Sequence, residues 1–130
     1  MSFKRRKGLF ELLIKNVKII GENEITDGFV RTANGKITEV GKTACEAENE
    51  EVIDGNGKYL SPGFIDLHVH GGGGYSAMGT PEDIVKMATA HMNYGTTSIL
   101  PTTLAAPIAQ LKTALLNIKE AKRICKTSNI

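Results

Sequence analysis

Between Leu12 and Leu60 the apolar residues come in short runs broken by turn residues. The run "LLIKNVKII" (12–20) predicts a strand, and "GFVRTANGKITEV" (28–40) predicts two strands around Asn34-Gly35. "EVIDGNGKYL" (51–60) repeats the arrangement around Asn56-Gly57, since Asn-Gly supplies the positive φ values of a tight hairpin. The stretch reads as a small β-meander or part of a sandwich, with the polar, acidic "GKTACEAENEE" (41–51) as a solvated connection. At Ser61-Pro62-Gly63 the pattern changes. "FIDLHV" (64–69) is apolar on both parities except at Asp66 and His68, as expected of a strand buried on both faces of a parallel sheet. A helix follows: Thr80 is an N-cap, Pro81 fits the first helical position, Asp83 closes a capping box and Gly95 suits the C-terminal cap. Its stripe is Ile84, Val85, Met87, Ala88, His91 and Met92. "TTSILPTT" (96–103) predicts a second buried strand, and Pro107 opens a second helix with Ile108, Leu111, Ala114, Leu115, Ile118, Ala121 and Cys125 at helical spacing. Strands followed by βαβα are the opening of an α/β fold with a parallel sheet and right-handed crossovers.

Two βα units leave strand edges unpaired, so the sheet calls for partners or for a chain that runs on, and the isolated chain is expected to self-associate or to behave as a loosely packed species. The organisation expected is a basic tail over 1–11, a β-strand part over 12–61 and the βαβα part over 62–130. Composition narrows the partners. With 16 Lys and Arg against 14 acids, the net charge of +2 points to neither nucleic acid nor an anionic membrane. The cluster Lys4, Arg5, Arg6 and Lys7 precedes "GLFELLI", where Glu11 interrupts an apolar stretch too short for a signal-peptide core. No run approaches the ~20 apolar residues of a membrane span. Cys45 and Cys125 lie far apart without ligand spacing, which fits free thiols in a reducing compartment and a cytoplasmic location.

The candidate chemistry lies in "PGFIDLHVHGGGG" (62–74). Side chains at i and i+2 of a strand share a face, so Asp66, His68 and His70 project one way and Ile65, Leu67 and Val69 the other. Two imidazoles at a strand end can meet one divalent ion at ~2.0–2.1 Å. The plainer alternative is a pair of histidines hydrogen-bonded to backbone; the bare glycine run beside them, which leaves room for a ligand, favours the metal. Asp66 either orients a histidine from behind or packs against a backbone donor elsewhere. Gly71, Gly72, Gly73 and Gly74 form either a loop whose amides approach substrate or a flexible hinge; the run lacks the Lys and Ser/Thr of a phosphate loop. Thr102 and Thr103 either line the same rim or cap the next segment. His91, on the apolar helical stripe, reads as a core or boundary histidine rather than a ligand.

These residues resemble a known family. "YLSPGFIDLHVHG" is similar to the signature of the amidohydrolase superfamily, and "GFIDLHVHGGGGYSAM" with "HMNYGTTSILPTTLA" resembles the N-acetylglucosamine-6-phosphate deacetylases within it. The resemblance runs from about Leu12 to Arg123. It implies the N-terminal part of a small β-sandwich followed by the first two βα units of a metal-dependent (β/α)8 barrel, incomplete in this chain. It also implies a hydrolase that removes acetate from N-acetylglucosamine 6-phosphate to give glucosamine 6-phosphate, a homo-oligomer, dimeric in the family, in amino-sugar metabolism. One or two divalent ions, zinc or iron, are implied as cofactor, with His68 and His70 on the family's HxH pair. The family's further ligands, its catalytic aspartate and its phosphate-gripping groups are implied downstream of Ile130. The expectation is therefore no catalytic residue within these 130 residues and no activity from them alone. Two other readings stay open: an amidohydrolase of another amide or cyclic ureide, and a non-catalytic metal-binding or self-associating module.

Overall fold

The computed structural model describes residues 11–48 and 50–130. The expected basic tail lies outside them except for Glu11, which opens the first strand. The chain divides into two compact units, Met1–Pro62 and Gly63–Ile130.

In the first unit β1 (Glu11–Ile20), β2 (Ile25–Ala33), β3 (Lys36–Gly41), β4 (Glu51–Asp54) and β5 (Tyr59–Leu60) form one sheet, ordered β3-β2-β1-β4 with β5 also on β1. β2 and β3 are the hairpin expected around Asn34 and Gly35, which take φ of 53° and 74°. The second Asn-Gly behaves differently. Asn56 and Gly57 do adopt φ of 49° and 74°, yet β4 and β5 each run parallel to β1. The reason lies in β1, where Asn16 at φ 54° interrupts the ladder between Ile14 and Val17. The 55–58 turn docks on that break: Gly55 N–H donates to Lys15 O at 2.8 Å and Gly57 N–H to Asn16 O at 2.7 Å. Asn-Gly fixes the sign of φ, but the bulged neighbour decides the pairing, so the expected hairpin is instead a jog between two short strands. Leu13, Val17, Phe29 and Val30 are the buried side chains of this sheet.

The acidic connection after β3 is not simply solvated. Arg31 on β2 pairs with Glu39, donates through Nε to Glu50 Oε2 at 2.9 Å and through Nη2 to the Cys45 carbonyl at 2.7 Å. The Glu50 side chain has no exposed surface. The Arg31 guanidinium, with the Ala47 N–H, holds the Glu50 carboxyl below its ordinary range. A carboxyl whose native pKa is depressed contributes stability above its unfolded value of ~4.3 and loses it as pH falls through the native value. Glu50→Gln is therefore expected to destabilise this unit at neutral pH, with the gap from wild type closing below about pH 4. Denaturant titrations at several pH values check this, and a gap independent of pH would exclude the ion pair as its source.

In the second unit β6 (Phe64–Val69) pairs parallel with β9 (Thr96–Pro101), joined through the hairpin β7 (Gly71–Gly72) and β8 (Tyr75–Ser76) and helix α1 (Pro81–Met92); α2 (Ile108–Ile124) follows β9. α1 begins as its sequence predicts. The Thr80 hydroxyl accepts from Asp83 N–H at 3.2 Å, the Asp83 carboxylate accepts from Thr80 N–H at 3.3 Å, and Pro81 occupies the first turn. Gly95, at φ 95°, lies just past the helix and donates to Met92 O at 3.0 Å. The core comprises Val69, Ala77, Ile84, Met87, Ala88, Ile99 and Ala121, with Val85, Ile118, Cys125 and Ile130 packed against it.

Neither strand is buried on both faces. Phe64, Ile65 and Leu67 keep 65%, 67% and 69% of their surface, because a two-stranded ladder is narrow and of its residues Val69 and Ile99 are the ones buried in the core cluster. The α2 stripe differs likewise. Ala114 and Ala121 are buried, but Ile108 and Leu115 stay exposed at 72% and 60%, since α2 and its cap meet the core cluster through Ile118, Ala121 and Cys125. Beyond α2 the chain returns to the sheet: Asn129 bridges Ser98 in parallel, with Ile99 N–H donating to Asn129 O at 2.9 Å and Asn129 N–H to Thr97 O at 3.0 Å. Among the described residues no helix is long and apolar enough to cross a membrane.

Candidate metal centre

The C-terminal end of β6 brings the two histidines together. His68 Nε2 and His70 Nε2 lie 3.0 Å apart, the rings meeting edge to face at 79°. A thread of main chain aims them. β6 carries one residue more than β9 between the pairs Asp66–Ile99 and Val69–Pro101, and such a bulge re-aims the side chains beside it. Asp66 Oδ1 accepts from His68 N–H at 3.1 Å, a local turn contact that competes with the ladder at this point. Asp66 thus touches the pair through His68's backbone.

His70 is oriented by another group. Its Nδ1 lies 2.9 Å from the Thr102 carbonyl, and a carbonyl only accepts, so Nδ1 carries the proton. In the neutral ring this leaves Nε2 with a free lone pair on the side facing His68. Thr102 is fixed in turn, its N–H donating to Val69 O at 2.7 Å and its hydroxyl to Leu100 O at 3.1 Å. Thr103 follows, half-buried. The sequence leaves Thr102 either lining this rim or capping the next segment; it is the Thr102 carbonyl, not its hydroxyl, that meets His70.

The glycine run is a tight hairpin. Gly71 and Gly72 pair with Ser76 and Tyr75, and Gly73 and Gly74 make the turn at φ of 59° and 84°, a combination open chiefly to glycine and asparagine. The hairpin leans on the end of α1. A Cβ at Gly72 would stand 2.3 Å from His91 Nε2, and one at Gly73 would stand 2.6 Å from Ala90 Cβ. His91 Nε2 is 3.2 Å from Gly71 O, so His91 is engaged with the hairpin backbone.

A divalent ion fits the histidine pair as two ligands. With metal–nitrogen bonds of ~2.05 Å, nitrogens at the observed spacing subtend about 94°, between octahedral and tetrahedral angles. Neutral imidazole with its far nitrogen held by a carbonyl is a common ligand arrangement. Among the described residues no group of three or more His, Cys, Asp or Glu converges, so the pair alone would supply two ligands of a coordination sphere.

No family model matches the chain. It is 35% identical over 114 residues to N-acetylglucosamine-6-phosphate deacetylase of Bacillus subtilis (strain 168), covering 85% of this chain and 29% of that protein. A dihydroorotase of the same organism is 49% identical over 59 residues, 45% of this chain and 14% of the relative. The crystal structure of N-acetylglucosamine-6-phosphate deacetylase from Pasteurella multocida superposes with a TM-score of 0.75 at 30% identity, covering 92% of this chain and 32% of that one. The mixed α/β arrangement matches the N-terminal region of such deacetylases. Its homologues and structural neighbours are thus N-acetylglucosamine-6-phosphate deacetylases of the amidohydrolase superfamily, about a third of whose length it spans.

Proposed function

We propose that this chain supplies the first metal-binding strand of a metal-dependent hydrolase that cleaves the acetamide of N-acetylglucosamine 6-phosphate. The observation that carries the reading is the convergence of His68 Nε2 and His70 Nε2 at the end of a parallel strand, with His70 Nδ1 tied to the Thr102 carbonyl. Similarity to the deacetylases over most of the chain supports the substrate. A bound zinc or iron(II) would polarise the acetyl carbonyl and make water nucleophilic near neutral pH. His68 and His70 would hold one face of that ion, the Thr102 carbonyl would keep His70 in its ligating tautomer, and the glycines after His70 would border the substrate with main chain only. Water oxygen bonds to the acetyl carbon, the carbon–nitrogen bond breaks, and the amine leaves with a proton, giving acetate and the free amino sugar phosphate.

The parallel order β6, β9, Asn129, with a helix in each connection, supports reading the second unit as the opening of a (β/α)8 barrel. The first unit is read as part of the accompanying β-sandwich. Exposed Phe64, Ile65 and Leu67 on an edge strand favour self-association of the isolated chain. The dihydroorotase match favours a second reading, a cyclic amide or ureide as substrate.

A chimaera tests both. Residues 11–130 replace the matching third of the Bacillus subtilis deacetylase, and zinc- or iron-dependent acetate release from N-acetylglucosamine 6-phosphate is compared with ring opening of dihydroorotate. Acetate release by the chimaera, its loss in His70→Ala and no turnover by the 130-residue chain alone are expected. Dihydroorotate turnover without acetate release would install the second reading, and zinc binding without turnover of either would leave a metal-binding module.

A further inference from the structure

The interlock between α1 and the glycine hairpin reaches the histidine pair. His70 is followed directly by Gly71, whose carbonyl lies 3.2 Å from His91 Nε2. The carbonyl of His70 itself accepts from Ala77 N–H at 2.8 Å, and Ala77 is wholly buried in the core cluster beside α1. Backbone on the C-terminal side of His70 is thus held at two successive carbonyls, while its ring is held at Nδ1. Shape completes the fit. A Cβ at Gly72 would stand 2.3 Å from His91 Nε2 and 2.9 Å from its Cδ2, so the imidazole reaches Gly71 only because residue 72 has no side chain.

We propose that His91 is a positioning residue: it clasps the hairpin through Gly71 O and thereby fixes the direction in which His70 presents Nε2. The proposal rests on the reading of His68 and His70 as metal ligands. Gly72 is the matching half of the clasp, and Nε2–H of His91 is the donor because the carbonyl can only accept. If β7 drifts from α1, the main chain at residues 70 and 71 turns with it, and His70 Nδ1 loses its alignment with the Thr102 carbonyl. Both imidazole tautomers then become populated, and the one protonated at Nε2 cannot ligate there.

The test uses the 130-residue chain with zinc as probe and ¹⁵N spectra of the imidazoles as a second readout, since these distinguish protonation at Nδ1 from protonation at Nε2. In wild type His70 is expected to show one tautomer, protonated at Nδ1. His91→Ala is expected to mix the tautomers and weaken zinc binding about tenfold, the low end of what loss of an outer partner costs. His91→Gln, whose amide can reach the same carbonyl, is expected to restore both readouts. Gly72→Ala is expected to reproduce His91→Ala, and the double variant to add little to either single one, as coupled residues do. A His70 tautomer and zinc affinity unchanged in His91→Ala would overturn the clasp, as would failure of His91→Gln to restore them. Should His91→Ala fail to fold, His91→Gln and Gly72→Ala decide the matter. Absence of zinc binding in wild type would instead remove the metal reading, and the tautomer readout would still decide whether His91 positions His70.

Discussion

Replacing His70 with alanine is expected to lower zinc affinity of the chain by at least about a hundredfold, more than the 10–100-fold that outer partners of metal ligands typically cost. His68→Ala is expected to do the same. Each substitution leaves a single imidazole, and with no third His, Cys, Asp or Glu side chain beside the pair among the described residues, nothing there takes over. Fold stability is expected to change little, because both histidines are exposed and their side chains meet each other rather than the core. Asp66→Asn provides the contrast. An amide oxygen still accepts from His68 N–H, so this variant is expected to keep zinc affinity within severalfold of wild type, well short of the ligand losses. Titration calorimetry with zinc measures all three, and an unchanged affinity in His70→Ala would remove the metal site from this strand.

How much of this was legible depends on whether side chains or main chain carry the information. The start of α1 was legible because it is written in side chains, Thr80, Pro81 and Asp83 each satisfying or removing a terminal N–H, whereas its end falls at the cap Asn93, two residues before the expected Gly95. Strand parity suggested the convergence of His68 and His70, but the bulge between Asp66 and Val69, which includes His68, was not legible and helps to aim the pair. The Thr102 carbonyl was not legible as the orienting group, since every residue offers a carbonyl and only the pairing of β9 with β6 selects this one. The same limit explains β4 and β5. Asn56-Gly57 announces a turn, but the interruption at Asn16 in a distant strand decides what the turn docks on. Apolar periodicity also overstated burial. It marks the side of α2 suited to packing, whereas burial depends on what lies opposite, and small Ala114 and Ala121 come close where Leu115 does not.

That difference gives the largest expected effect on stability. Ile84→Ala is expected to cost about 2–5 kcal/mol, as truncation of a large aliphatic side chain in a packed core does. Ile84 has no exposed surface and belongs to a cluster of seven buried residues that also holds Val69, the neighbour of His70. A loss of that size is a large share of the ~5–15 kcal/mol that stabilises a typical domain. The second unit is therefore expected to open well before the first, seen as early loss of amide protection in α1 and β9. Zinc affinity should fall along with it, because the strand end carrying His70 is anchored through Val69. Leu115→Ala removes a side chain of comparable size from the predicted stripe of α2, yet at 60% exposure it is expected to shift stability by no more than ~0.5 kcal/mol in the isolated chain. The comparison separates two physical situations. Near-equality of the two costs would mean that Leu115 is covered in solution by another copy of the chain, and its cost would then rise with protein concentration, whereas the Ile84 cost would not.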